Sequence, residues 1–148
     1  MITVREMSFD DLDEVIAIEE ACFSVPWTVN GFFSWLLRED ACFFVACKDG
    51  KIAGYCGLIL TPPEGDITNI CVSEQYRRQG VAVLLMNALT EKAQEHGIDI
   101  IHLEVRESNA PARALYEKLG FKQDGLRPRY YEEPKEDAIL MSCSCAKE

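Results

Sequence analysis

The segment VSEQYRRQGVA, Val72 to Ala82, passes from an apolar run into a helical pattern through Arg77-Arg78-Gln79-Gly80-Val81-Ala82. Such a turn leaves several backbone N–H groups at the positive end of a helix dipole, and small residues at Gly80 and Ala82 let an anion approach the chain closely. A pyrophosphate cradle and a plain turn in which Gly80 relieves backbone strain fit this pattern about equally. The Gly-Lys-Ser/Thr of a nucleotide P-loop is missing. Further along, Ile101, Leu103 and Val105 share one face of an alternating run, while His102, Glu104 and Arg106 share the other. Glu104 is therefore either a proton acceptor presented on a polar strand face or a solvated partner of Arg106. Tyr116 sits beside Leu115 and Leu119 on a helical pattern, as a packing residue or a phenolic donor. Arg129-Tyr130-Tyr131 is too aromatic and too basic for an ordinary surface loop, and either borders a binding groove or packs at a strand end on Phe23 and Trp27.

These residues need elements to hold them. Met1 to Met7 reads as a short strand, and Ser8 with Asp11 resembles a capping box that opens a helix with Leu12, Val15, Ile16, Cys22 and Phe23 on one stripe. Pro26 ends that helix, and Thr28 caps a second one bearing Phe32, Trp35 and Leu36. Two apolar runs, Cys42 to Lys48 and Lys51 to Leu60, are joined by Asp49-Gly50, which supplies the positive φ angles of a tight hairpin. A loop over Thr61 to Gly65 and a strand from Asp66 to Ser73 follow. A helix then runs from about Gly80 to His96 and stops at Gly97. A strand over Ile98 to Arg106, a helix over Asn109 to Leu119 closed by Gly120, and strands near Phe121 to Tyr131 and Asp137 to Cys145 complete the chain. Two strand-helix-strand passages, around 66 to 106 and 98 to 131, predict some parallel pairing beside the antiparallel hairpin. The expected class is a single mixed α/β (α+β) domain over 1–148.

Composition narrows the function. At 148 residues and 48% hydrophobic content the chain can bury one substantial core. It has no apolar run long enough to span a membrane and no basic-then-apolar leader at Met1 to Glu6, so a soluble, cytoplasmic protein is expected. Twenty-five acidic against fifteen basic residues give a net charge of −10, which disfavours nucleic acid and suits a cationic acceptor. The seven cysteines form no Cys-x-x-Cys pair and the two histidines, His96 and His102, are scattered, so the expectation is free, mostly buried thiols and no metal. Cys71 could be a nucleophile, but no histidine can be argued to lie beside it, and a backbone role is preferred.

The stretch beginning at Arg77 resembles the acyl-CoA pyrophosphate motif Gln/Arg-x-x-Gly-x-Gly/Ala of the GNAT acetyltransferase superfamily. Leu103 to Phe121, LEVRESNAPARALYEKLGF, is similar to the segment that identifies the ribosomal-protein alanine N-acetyltransferases and their N-terminal acetyltransferase relatives. Phe23, Pro26, Trp27, Arg129-Tyr130-Tyr131 and Glu136-Asp137-Ala138 extend the likeness over essentially the whole chain. It departs at Ala82, where a second glycine is commoner, and at Pro111. The resemblance implies a GNAT fold of about seven strands in a mixed sheet flanked by about four helices. It implies acetyl-CoA as donor, with the pantetheine arm along Ile70, Cys71 and Val72 and the pyrophosphate on the amides of Arg78, Gln79, Gly80, Val81, Ala82 and Val83. Asn109 would hydrogen-bond the cofactor, Glu104 would be the general base, Tyr116 the general acid, and Arg129, Tyr130 and Tyr131 would border a peptide groove. No metal is required. The implied acceptor is the N-terminal peptide of a ribosomal protein. The alternatives are a small-molecule amine, such as a polyamine or aminoglycoside, and a noncatalytic acyl-CoA-binding module.

Overall fold

Asp49 and Gly50 adopt φ angles of 53° and 77°, the pair of positive angles that matches the twist of a two-residue hairpin. They fold β2 (Ala41–Lys48) antiparallel onto β3 (Lys51–Thr61). The computed structural model describes residues 1–23, 26–132 and 134–145. β1 (Ile2–Glu6) flanks β2 on the outer edge. On the inner side β4 (Glu64–Val72) returns along β3. The loop expected over Thr61 to Gly65 is shorter than the sequence suggests, because Thr61 pairs with Glu64 and only Pro62-Pro63 lies outside the ladder. Proline has no N–H to give a ladder, so these two residues are the ones it can omit.

The sheet has seven strands in the order β1-β2-β3-β4-β5-β7-β6, with β5 (Ile100–Arg106), β6 (Lys122–Tyr131) and β7 (Glu136–Ser144) completing it. The first strand-helix-strand passage gives the expected parallel pair, β4 with β5. The second does not give an adjacent pair. β7 inserts between β5 and β6 and runs antiparallel to both, the short connection between β6 and β7 making them adjacent antiparallel neighbours.

Helices cover both faces. On one, α1 (Leu12–Cys22) and α2 (Val29–Leu36) bury Val15, Ile18 and Phe32 against Phe43, Val45 and Tyr55. On the other, α3 (Val81–Glu95) and α4 (Ala110–Lys118) bury Leu85, Leu89 and Tyr116 against Phe44, Leu58, Leu103 and Ile139. Full burial of each such leucine is worth about 1.5–3 kcal/mol, so α3 is held by its apolar stripe more than by propensity. Asp11 anchors the entry to α1: it accepts the Ser8 N–H at 2.8 Å and a two-pronged Arg5 guanidinium at 2.8 Å on each oxygen. Arg5 thereby holds the Asp11 carboxyl below the usual carboxylate range, opposed by burial. Thr28 caps α2 by accepting the Gly31 N–H at 3.0 Å, and Gly97 and Gly120, at φ of 73° and 97°, end α3 and α4 as the sequence predicts. No helix of the described residues is long and apolar enough to cross a membrane.

The cysteines depart from expectation. Cys22 at the end of α1 is disulfide-bonded to Cys71 in β4, 49 residues away, while Cys42, Cys56 and Cys145 are free and buried. Spacing along the chain carries no sign of this pair; the packing of α1 across β4 brings their Cα atoms to 6.8 Å. Burial pushes the Cys42 thiol up to about 11 and that of Cys56 further still. Native alkylation near pH 8 should therefore modify the half-buried Cys47 and Cys143 at least about tenfold faster than Cys42 and Cys56, with Cys22 and Cys71 recovered as a linked peptide before reduction. Equal labelling of all seven would contradict this arrangement.

Gly54 in β3 is a point of close approach, since a Cβ there would stand 2.7 Å from the Cys71 carbonyl oxygen and 3.3 Å from the Val72 Cα. Gly54→Ala must push β4 away, and should lower unfolding free energy by about 1–3 kcal/mol in urea titration; an unchanged midpoint would show that β4 yields freely.

Candidate active site

β4 and β5 stay paired for only three residues, Glu64, Gly65 and Asp66 against Ile100, Ile101 and His102. Beyond that the strands part. A register shift places Thr68 as an extra residue of β4 opposite Gly57, and a bulge of this kind bends its strand and increases local twist. Gly57 has to be glycine because a Cβ there would lie 2.3 Å from the Phe43 ring and 2.4 Å from Thr68 Oγ1. From Ile67 to Val72 the edge of β4 that faces β5 thus carries no strand partner among the described residues.

The opening between the strands holds a cavity of about 620 Å³. Glu104 projects into it from β5, Tyr116 from α4, and Tyr130 and Tyr131 from the end of β6, opposite Glu19, Trp27 and Asn69. The burial of β5 alternates as its sequence predicts, with Ile101, Leu103 and Val105 in the core and Glu104 open to solvent. The Glu104 carboxylate lies 3.4 Å from Arg127 Nη1, not against Arg106. Arg106 has another task. It donates to the carbonyls of Pro134 and Glu132 at 2.9 and 3.0 Å, meets Glu136 at 3.2 Å, and stands 4.5 Å above the Tyr131 ring. One guanidinium therefore secures the β6–β7 turn that carries both tyrosines.

Burial first, and the charge on Glu104 next, push the Tyr131 phenol up to about 12. Hydrogen bonding to Glu104, followed by burial, also raises Tyr130. Tyr116 is 6% exposed, edge-on to Phe121 at 5.9 Å, and burial raises its phenol well above the ordinary value. All three phenols therefore keep their protons at neutral pH and are able to donate.

A second cavity, of about 610 Å³, adjoins the first and shares Ile70, Asn109 and Tyr116 with it. It runs along Cys71 and Val72 to the turn before α3, where Arg78 and Gly80 take φ of 65° and 80°. Gly80 at the N-cap has no side chain to cap α3, and Val81, Ala82 and Val83, whose first-turn amides have no partner within the helix, line the cavity. A Cβ on Gly80 would meet nothing within 4 Å, which leaves the turn accessible from outside. Asn109 caps α4, its Oδ1 accepting the Ala112 N–H at 3.2 Å. An elongated anion with an apolar or amide-bearing arm fits this groove: oriented amides and two arginines at one end, an unpaired strand edge along the middle, and Tyr116 at the far end.

The residues singled out from sequence thus converge, with two exceptions. The Gln79 side chain turns away to accept from Lys48 Nζ at 2.5 Å. Arg129, at φ of 52°, is exposed; its backbone N–H donates to Asp137 Oδ1 at 2.9 Å, and its side chain does not line the cavity. Sequence reasoning missed Glu19, Asn69 and the anchoring role of Arg106. For Glu19 a signal existed, since it falls on the apolar stripe of α1, one turn after Val15 and Ile16.

The chain is similar to several known proteins along nearly its whole length. A Bacillus subtilis protein provisionally named a [ribosomal protein bS18]-alanine N-acetyltransferase is 40% identical over 139 residues, covering 93% of this chain and 92% of its own. A Sulfurisphaera tokodaii N-alpha-acetyltransferase is 34% identical over 152 residues, covering 94% and 90%. The crystal structure of the ribosomal-protein-S18-alanine N-acetyltransferase from Escherichia coli superposes with a TM-score of 0.91 at 33% identity, over 100% of this chain and 96% of that one. Residues 12–121 match the Acetyltransferase (GNAT) family, and with these relatives the chain belongs to that family of acetyl-CoA dependent N-acetyltransferases.

Proposed function

We propose that the chain moves the acetyl group of acetyl-CoA onto the α-amine of a protein N-terminus, with the N-terminal alanine of a small-subunit ribosomal protein as its acceptor. Such an acceptor places the enzyme in the cytoplasm. The observation that carries this reading is the shared wall at Tyr116, where a groove suited to a diphosphate-bearing arm meets a cavity containing a carboxylate and three protonated phenols. The names of the bS18-alanine relatives supply the acceptor class.

The donor groove fits the group it has to hold. The backbone amides of Arg78, Gln79, Gly80, Val81, Ala82 and Val83 would bind the pyrophosphate, with the Arg78 guanidinium adding charge. Ile70, Cys71 and Val72 would receive the pantetheine amides as an added strand, and Asn109 would meet the arm from the start of α4. Acetyl-CoA supplies an activated acyl thioester. The rest falls to side chains of this protein.

A peptide α-amine has a reference pKa of about 7.7–8.0 and is largely protonated near neutrality, so it must give up a proton before it attacks. Glu104 takes that proton, directly or through one water, in a cavity open enough to admit a solvent molecule. As nitrogen bonds to the acetyl carbon and the carbon–sulfur bond breaks, Tyr116, which lines both cavities, would give its proton to the departing sulfur and regain one from solvent. A phenol with a raised pKa is a poor acid in water, but a thiolate released against the same apolar wall is destabilised by the same desolvation, which narrows the gap between the two proton affinities. Tyr130 and Tyr131 would fix the acceptor backbone by donating hydrogen bonds, with Arg129 at the rim.

Glu104→Gln should lower kcat by about 10²–10⁴-fold and Tyr116→Phe by at least about tenfold, while calorimetry finds acetyl-CoA binding within about twofold of wild type for both. Unchanged turnover in Glu104→Gln would end the role given to that carboxylate. Acceptor identity is read by incubating the protein with acetyl-CoA and a panel of amines. A peptide with a free N-terminal alanine should be acetylated, and the same peptide with a blocked α-amine and a free lysine should not. Preference for a polyamine or aminoglycoside would replace the acceptor while keeping the chemistry; tight acetyl-CoA binding with no amine turned over would leave only a binding module.

A further inference from the structure

Glu19 is 2% exposed, yet it is a carboxylate on the apolar face of α1. Its Oε2 accepts the Trp27 backbone N–H at 2.8 Å; its Oε1 accepts the Asn69 Nδ2 at 3.3 Å and the Tyr55 phenol. No cation is among these partners. A buried carboxylate is costly unless every donor is in place, and a leucine would fill the same helix position with no such demand. The three donors come from β3, from β4 and from the segment leading into α2, so a single side chain ties α1 to three other parts of the chain. Trp27 and Asn69 both line the cavity that contains Glu104, and Trp27 also stacks on Trp35 at 5.7 Å.

We propose that Glu19 is a positioning residue for the acceptor: it fixes Trp27 and Asn69 as the wall opposite Glu104, and so sets the width of the channel in which the amine approaches. The proposal rests on the reading of that cavity as the acceptor channel. The Glu19 side chain does not line the donor groove, so acceptor and donor affinities should separate.

The test uses the full chain with Glu19→Ala, Glu19→Asp and Glu19→Gln. Aspartate keeps the charge but is too short to reach Trp27 and Tyr55 together. Glutamine keeps an oxygen for the Trp27 N–H, the Tyr55 hydroxyl can turn to accept from its amide, and the Asn69 amide can flip so that its oxygen accepts as well while Thr68 Oγ1 takes its N–H. In the alanine and aspartate variants the KM for the acceptor should rise at least about tenfold, with the acetyl-CoA KM within about twofold, and Trp27 amide hydrogen exchange should accelerate at least about tenfold; glutamine should restore both within about threefold. An unchanged acceptor KM, a parallel change in both KM values, or a glutamine variant as impaired as alanine would overturn the role. If alanine does not fold, the aspartate and glutamine pair decides. Should wild type acetylate no amine at all, the functional reading fails, whereas Trp27 amide exchange in the same variants still shows whether Glu19 holds that wall.

Discussion

The rest of the site depends on the parting of β4 and β5 after three paired residues. Parallel strands ordinarily stay paired because each unmatched N–H and C=O has a cost, and this sheet leaves a run of them open in its centre. The separation is held from both sides. Thr68 adds a residue to β4 over the space left by Gly57, and β7 takes up the far edge of β5 with seven antiparallel pairs. β5 is thus secured without β4, and Glu104 stands on a rigid strand beside an open gap instead of on a loop.

The same gap joins two cavities of similar volume. Ala112 and Tyr116 of α4, with Asn109 before it, line both cavities. α3 begins beside one of the two, which alone is lined by its first turn, Val81 to Val83. Charge is unevenly divided: Arg77, Arg78 and the amide dipoles lie at the α3 end, whereas Glu19, Glu104 and Glu132 line the other cavity beside one arginine, Arg106. An anion and an ammonium group would each be drawn to its own entrance. Arg106, committed to the β6–β7 turn, maintains the tyrosine wall without adding a free cation to the acceptor side.

Much of this was legible in the residues. Asp49-Gly50 announced the hairpin, Gly97 and Gly120 announced the ends of α3 and α4, and the alternation from Ile101 to Arg106 placed Glu104 on the polar face of its strand, because each of these is a local rule of backbone geometry or period. What could not be read is non-local. The insertion of β7 between β5 and β6 is a choice among sheet orders that share the same local pattern. The joining of Cys22 to Cys71 follows from one helix crossing one strand. Glu19 was hidden for a different reason: a stripe analysis counts apolar positions, and a carboxylate on the stripe is informative only when its donors, Trp27, Tyr55 and Asn69, are known.

The unmatched edge of β4 also has a consequence for how firmly the protein holds together. A sheet with a vacant place in its middle gains the missing bonds from any molecule that lays peptide-like amides along Ile67 to Val72, and mass action then credits that gain to the folded state alone, about 2.7 kcal/mol at one hundred times the dissociation constant. Midpoint temperature in a melting curve would therefore serve as a gauge of occupancy, responsive to the amide-bearing arm of a coenzyme and much less so to its nucleotide by itself.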